Sequence, residues 1–165
     1  MVKGFTLIEL LVTLVIVSLT CALSIPALSQ MVEKNKVESD VFTITNIIQT
    51  ARSKAISQKI FITICGKSSE QLCSNNWKEI IVLSNESKQH LHGVTLKANF
   101  LLAKWSAFQN KSGLTISPTG YTHHQNGTLY LCHNIPSFNR ALVVSKSGRV
   151  TVKHQSAKLQ QKCSK

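Results

Sequence analysis

The first 58 residues carry two hydrophobic patterns in succession. Between Leu10 and Val32 no side chain is charged and most are aliphatic. This run exceeds the ~20 apolar residues that a membrane-spanning helix needs. Further along, apolar residues recur at alternating steps of four and three, the spacing of one face of an amphipathic helix. They are Val37, Val41, Ile44, Ile48, Ala51 and Ala55. The pattern predicts a transmembrane helix over residues 5–28 that continues as an amphipathic soluble helix over residues 29–58.

Pro26 lies inside this predicted helix. A proline removes one backbone hydrogen bond, so we expect a kink there. The alternative is two separate helices with a break at Pro26. An uninterrupted helix of about 50 residues would be ~75 Å long at ~1.5 Å per residue.

Beyond residue 58 the pattern changes to that of β-strands. Residues 60–65 and 77–83 are rich in β-branched and aromatic side chains, which predicts two strands of a hairpin. The polar residues 66–76 form its loop. Further strands are predicted within residues 91–97, 113–120, 128–133, 140–145 and 149–154. Residues 99–108 are ambiguous, and their large side chains are candidates to cover the open face of the sheet: Phe100, Leu101, Trp105 and Phe108.

The last two predicted strands flank a tight turn at Lys146-Ser147-Gly148, in which the glycine supplies a positive φ. The tail, residues 155–165, is polar and basic. One long helix followed by about six short antiparallel strands predicts an α+β fold. In this fold an antiparallel sheet domain over residues 59–165 packs on the helix.

Charge is unevenly distributed along the chain. The formal net charge is +12, yet all seven acids lie at or before Glu86. Residues 87–165 contain eleven lysines and arginines and no acid. Such a positive body favours nucleic acid, anionic lipid or an acidic polymer as a partner. The alternative is a solvated lysine-rich surface without a ligand.

The five cysteines divide into one and four. Cys21 lies in the apolar segment and is expected to pack as a small apolar residue. The other four suggest two disulfides in an exported domain, with three possible connectivities. Cys65 and Cys73 flank a short polar loop and are paired here, which leaves Cys132 and Cys163 to pin the tail to the sheet. A zinc site at Cys132 and His133 is the alternative, although the spacing matches no usual zinc pattern.

The sequence argues against an enzyme. A paired-acid mechanism has no carboxylate to use beyond Glu86. His123 and His124 would point to opposite faces of a strand. His90 and His92 share a face but lack a third ligand nearby in sequence. No glycine-rich phosphate loop or nucleophile motif is present. We therefore expect no catalytic residue, no cofactor and no metal.

The N-terminus combines a basic four-residue leader with one acid, Glu9, at the start of the apolar run. An ordinary secretory signal cut near Ala27-Leu28-Ser29 leaves the acid unexplained. A lipoprotein signal would modify Cys21, but Ser18-Leu19-Thr20 is a weak match for the small residues that precede such a cysteine. The run Gly4-Phe5-Thr6-Leu7-Ile8-Glu9 instead resembles the processing site of type IV pilins and pseudopilins, which also often carry a proline near the position of Pro26.

The resemblance implies several properties. A prepilin peptidase removes the leader, residues 1–4, by cutting after Gly4, and Phe5 becomes an N-methylated terminus. Glu9 is retained for assembly and pairs with the Phe5 amine of a neighbouring subunit, since a buried carboxylate needs such a partner. Residues 5–28 anchor the chain in the inner membrane by a single pass and form the filament core. The C-terminal domain lies in the periplasm, and other pilins or pseudopilins are its partners.

Later motifs are similar to one branch of this superfamily, the GspH/FimT group of minor pilins and pseudopilins. They are Ala51-Arg52-Ser53-Lys54-Ala55-Ile56, the spacing of Cys65, Cys73 and Trp77, Ile116-Ser117-Pro118-Thr119-Gly120, and Ser147-Gly148-Arg149-Val150. The resemblance implies a type IV pilin-like fold and a low-copy subunit of a type IV pilus or of a type II secretion pseudopilus. The alanine-rich helix end and Pro26 favour the FimT-like, pilus side.

Some FimT-like proteins bind DNA during natural transformation through a Gly-Arg-x-Arg element near the C-terminus. Here Thr151 stands in place of the second arginine of that element. Because Arg149, Thr151 and Lys153 share one face of a strand, Lys153 supplies a second cation. The candidate site for double-stranded DNA comprises Lys146, Arg149, Lys153, Lys158 and Lys162, and its binding would depend on salt rather than sequence. The alternatives are a solvated hairpin and a pseudopilin with a purely structural role in secretion.

Overall fold

The structure is a computed structural model that describes Gly4 and residues 6–68, 73–86, 90–107, 110–122 and 124–164, except the side chains of Leu23, Pro26 and Ala27. The chain divides into two compact units, Met1–Asn35 and Lys36–Lys165. Three residues named above lie outside the described ranges, Phe5, Phe108 and His123, as do residues 1–3 of the leader.

Helix α1 spans Leu7–Gln58 and continues through Pro26. The alternative of two helices separated at Pro26 is therefore wrong. In the first unit many aliphatic side chains of α1 are exposed, as at Leu14 and Ile16. Within the described ranges, no helix is long and apolar enough to cross a membrane.

The second half of α1 buries the stripe that its sequence predicts. Val37, Ile44 and Ala55 are almost fully buried, and Val41, Ile48 and Ala51 are at most 6% exposed. These side chains join residues of both sheets in one hydrophobic core. The stripe stabilises the helix through tertiary packing, since each buried aliphatic side chain contributes roughly 1.5–3 kcal/mol of transfer free energy.

Nine strands follow α1 in the described part of the chain. They are β1 (Ile62–Lys67), β2 (Cys73–Ser74), β3 (Glu79–Ser84), β4 (His90–Thr95), β5 (Phe100–Ala107), β6 (Gly113–Ile116), β7 (Gly127–His133), β8 (Arg140–Val144) and β9 (Val150–Lys153). A 3₁₀ turn, Pro136–Phe138, connects β7 to β8. A short helix α2, Ala157–Cys163, follows β9.

The strands form two antiparallel sheets rather than the single sheet predicted. Sheet A has the order β2-β1-β3-β4, with β6 also paired to β1, and sheet B has the order β5-β7-β8-β9. The predicted hairpin of residues 60–83 corresponds to β1 and β3, which pair directly. Its predicted loop contains the short strand β2.

The ambiguous residues 99–108 contribute β5, an edge strand of sheet B. Phe100, Ala103 and Trp105 point inward and are buried, whereas Leu101 is exposed. The Trp105 ring stacks on Trp77 with ring centroids 4.8 Å apart, which joins the inner side of sheet B to the start of β3. The segment therefore extends a sheet and does not cover one.

The sequence pattern predicts no helix in the basic tail, residues 155–165, yet residues 157–163 are helical. Ser156 caps α2 by accepting a hydrogen bond from the Leu159 N–H at 3.2 Å. Leu159 is buried in a second small core on the outer face of sheet B, together with Tyr130, Cys132 and Ala141. Helix α2 thus covers the two central strands of that sheet.

Candidate functional site

The turn between β8 and β9 has the geometry expected for a tight hairpin. Gly148 adopts a φ of 76°, a conformation that costs an L-residue with a side chain roughly 1–2 kcal/mol. Its N–H donates to the Ser145 carbonyl at 2.9 Å, and the Ser145 N–H donates to the Arg149 carbonyl at 3.0 Å. The turn therefore presents Lys146 and Arg149, both exposed, at one end of sheet B.

Three short motifs that are distant in sequence meet beside this turn. The Arg52 Nε of α1 donates to the Gly120 carbonyl at 3.1 Å. A Cβ on Gly148 would lie 3.1 Å from the Arg52 Cδ and 3.1 Å from the Gly120 carbonyl oxygen. The motifs at residues 51–56, 116–120 and 147–150 thus build one structural junction, in which both glycines allow close approach.

The five candidate DNA-binding cations are all exposed, but they lie on different elements. Lys146 and Arg149 belong to the turn, and Lys153 is the last residue of β9. Within β9, Val150 and Val152 pack against the core, whereas Thr151 and Lys153 are exposed. Lys158 and Lys162 lie four residues apart on α2, and hence on one helix face. The predicted shared face of Thr151 and Lys153 agrees with this burial pattern.

The register of sheet B brings in a lysine that sequence reasoning missed. Lys104 of β5 pairs with Tyr130, Tyr130 pairs with Ala141, and Ala141 pairs with Lys153. Directly paired residues point to the same side of a sheet, so Lys104 and Lys153 share the outer face of sheet B. The alternation of Ala103, Lys104 and Trp105 is the signal that would have identified it.

Another cation, Arg140 of β8, serves the fold. The Arg140 guanidinium is 4% exposed and pairs with Glu38 of α1. It also donates to the carbonyls of Ser137, at 2.8 Å, and Asn139, at 2.9 Å. Because the buried Arg140 is paired with Glu38 and with two carbonyls, it holds β8 to the helix and is not available to a ligand.

Within the processing motif, Glu9 contacts Thr6 through a hydrogen bond from its backbone. The Glu9 N–H donates to the Thr6 hydroxyl oxygen at 3.3 Å, which makes Thr6 the cap of α1. The carboxylate of Glu9 is on an exposed residue at the helix start. Gly4 has no atom within 4 Å of the place where a Cβ would be.

The structure contains two disulfides. Cys65 is bonded to Cys73, which ties β1 to β2, with Cα atoms 5.3 Å apart. Cys132 is bonded to Cys163, which ties β7 to α2, with Cα atoms 5.4 Å apart. Cys21 is an exposed free thiol. With Cys132 in a disulfide, the zinc alternative at this residue loses its first ligand.

The histidines form no metal site in the described residues, where no three His, Cys, Asp or Glu side chains are suitably grouped. His90 pairs with Leu83 and His92 with Val82, so a bulge at Leu91 places them on opposite faces of β4. The prediction that they share a face is wrong for this reason. His133 is buried, and its Nδ1 accepts a hydrogen bond from the Ile135 N–H at 3.0 Å.

Comparisons with known proteins agree with the resemblance in sequence. A family model described as "Type II transport protein GspH" matches residues 43–148. A second, described as "Prokaryotic N-terminal methylation motif", matches residues 1–25. No curated protein sequence matched the chain.

Two solved structures share the fold, both of the type IV minor pilin FimU of Pseudomonas aeruginosa strain PAO1. The crystal form in space group P21 has a TM-score of 0.59 and 24% identity, and covers 73% of this chain and 90% of that one. The form in space group P65 has a TM-score of 0.53 and 21% identity, with coverage of 70% and 91%.

These matches identify the family and explain the α+β fold, a long helix packed on antiparallel sheets. The GspH model alone covers more than half of the chain. Members of this family with this fold are structural subunits of filaments and not enzymes. The chain belongs to the GspH family of type IV pilin-like proteins, as a minor pilin or pseudopilin of a type IV pilus or a type II secretion system.

Proposed function

We propose that this protein is a FimT-like minor pilin of a type IV pilus that binds double-stranded DNA without sequence preference during natural transformation. One observation carries the proposal. The outer face of sheet B, with α2 and the β8–β9 turn, bears exposed cations on segments that contain no acid.

Such a surface attracts the phosphate backbone. Each phosphate that a lysine or arginine neutralises releases condensed counterions and adds roughly 0.9 to the slope of log affinity against log salt. In this proposal Arg149, Lys153 and the α2 lysines make several such contacts, which their exposure supports. Thr151 removes one cation from the Gly-Arg-x-Arg element, and Lys153, on the same face, is proposed to replace it.

Assembly forms the other half of the proposal. Residues 1–4 are the leader that the prepilin peptidase removes after Gly4, and Phe5 is the methylated mature terminus. Residues 5–28 hold the subunit in the inner membrane before assembly and enter the filament core afterwards, with the domain of residues 59–165 in the periplasm. The methylation-motif match over residues 1–25 supports this arrangement. Glu9 then pairs with the Phe5 amine of a neighbouring subunit.

A pseudopilin with a purely structural role in type II secretion is the second candidate. The description of the matched family, a type II transport protein, favours it. In that case the basic surface is a solvated face. Deleting the gene in the native host separates the two: loss of transformation with intact secretion supports the pilus subunit, and the reverse result supports the pseudopilin.

The direct test measures binding of the full-length protein, in detergent micelles, to a fluorescein-labelled duplex at a series of salt concentrations. We expect affinity to fall steeply with salt. Arg149→Glu/Lys153→Glu should weaken binding by about tenfold or more at 0.1 M salt. The matched control, Lys59→Glu/Lys97→Glu, makes the same charge change at exposed lysines outside the outer face of sheet B. No binding at low salt, or equal losses in both variants, would contradict the proposal.

A further inference from the structure

A basic cleft on the outer face of sheet B is lined by residues of β5, β7 and α2. Its volume is about 680 Å³, and its described lining includes Lys104, Lys111 and Lys162. Uncharged polar side chains also line it: Asn75, Ser106, Asn110 and Tyr130. Of the three lysines, only Lys162 belongs to the candidate DNA site predicted from the sequence.

The three lysines come from separate parts of the chain. Lys104 is on β5, Lys111 precedes β6 and Lys162 is on α2, which the Cys132–Cys163 disulfide fixes to the sheet. Among the described residues, no ion pair neutralises any of the three. Each ammonium offers three donors and no acceptor, so the fold gathers positive charge and hydrogen-bond donors with no anion of its own.

We infer that this cleft binds backbone phosphates of the same DNA duplex that Lys153 of β9 and the β8–β9 turn contact, an inference that rests on the proposed function. Lys104 and Lys153 end one cross-strand row of four paired residues. Three strand spacings of ~4.8 Å separate them by about 14 Å. One DNA strand rises by about four base pairs over that length, and the major groove is ~12 Å wide. A single duplex therefore spans both sets of cations.

The test compares three double variants of the full-length protein in micelles, each of which removes two positive charges. They are Lys104→Gln/Lys111→Gln in the cleft, Arg149→Gln/Lys153→Gln at the turn and the end of β9, and Lys59→Gln/Lys97→Gln as the control. Duplex affinity is measured against salt, with circular dichroism as the check of folding. For the cleft variant we expect about tenfold weaker binding at 0.1 M salt and a slope smaller by roughly 1–2.

Lysine acetylation read by mass spectrometry supplies a second measurement on the unmodified sequence. Bound duplex should protect Lys104 and Lys111 and leave Lys59 and Lys97 reactive. The inference would be overturned if the cleft variant bound duplex as tightly as the control, or if Lys104 stayed reactive in the complex. The Arg149→Gln/Lys153→Gln variant would still test the proposed function in that case. A wild-type protein that does not bind duplex overturns both.

Discussion

Sheet B carries cations on both of its faces, and the two faces use them differently. On the face toward α1, Arg140 is buried and pairs with Glu38 and two carbonyls. On the outer face, Lys104 and Lys153 are exposed, and no ion pair in the described residues involves them. A charge in the interior stays only where acceptors surround it, whereas an exposed charge contributes little to stability. The comparison therefore separates cations that hold the fold from cations that are available to a ligand.

The largest effect is expected on the α1 side. Arg140→Leu should lower the free energy of unfolding by about 3–4 kcal/mol, because two carbonyls and the Glu38 carboxylate lose their donor. Lys153→Leu, on the other face of the same sheet, should change it by less than about 0.5 kcal/mol. Urea unfolding followed by the fluorescence of Trp77 and Trp105 measures both. A loss below about 1 kcal/mol for Arg140→Leu would mean that the pair adds nothing net.

The second effect connects stability with the ligand face. Cys132→Ser/Cys163→Ser opens a loop of 31 residues and should cost about 3–4 kcal/mol. Since α2 has only seven residues, it should also loosen from the sheet, which weakens duplex binding through Lys158 and Lys162. Cys65→Ser/Cys73→Ser is the matched control. It should cost somewhat less because its loop is eight residues, and it should leave DNA affinity unchanged.

The third effect tests the junction that supports the turn. Gly148→Ala should cost about 1–2 kcal/mol, since the residue has a φ of 76° and its new methyl group would meet Arg52. Gly93→Ala is the control. Its Cβ would have one neighbour, the Ile80 carbonyl oxygen at 3.8 Å, so the change should stay within about 0.5 kcal/mol. Equal costs at both glycines would show that the junction is not tightly packed.

The packing of α1 against the sheets could be predicted from the sequence, whereas the outer face of sheet B could be predicted only in part. The stripe from Val37 to Ala55 and the turn at Gly148 are local patterns, and the structure places both as predicted. The division into two sheets depends on pairing between distant strands, which periodicity does not specify. Residues 99–108 were ambiguous because a register shift between Phe100 and Leu102 breaks the alternation of their side chains.

Helix α2 was missed for a different reason. It has one buried apolar residue, Leu159, and depends on the Ser156 cap and the disulfide more than on helical periodicity. The cleft could not be predicted from local patterns either. Lys104, Lys111 and Lys162 come together only when α2 packs on the sheet that contains β5. Binding surfaces built from several segments need the tertiary structure.

The smallest effect on stability should accompany a gain in binding. Thr151 is exposed on the outer face of β9 and stands where the related element carries its second arginine. Thr151→Arg should change the free energy of unfolding by less than about 0.5 kcal/mol, because no buried contact is lost. The added cation should strengthen duplex binding by up to about tenfold at 0.1 M salt and raise the salt slope by about 0.9.

Thr95→Arg is the control for this gain, since it adds the same charge to an exposed position at the end of β4, in sheet A. Binding and urea unfolding are measured on both variants. If a cation on either sheet strengthened binding equally, net charge alone would govern the affinity, and the distinction between the two faces of sheet B would have no functional meaning. If only Thr151→Arg does so, the duplex lies against the outer face, where the exposed cations share no segment with an acid.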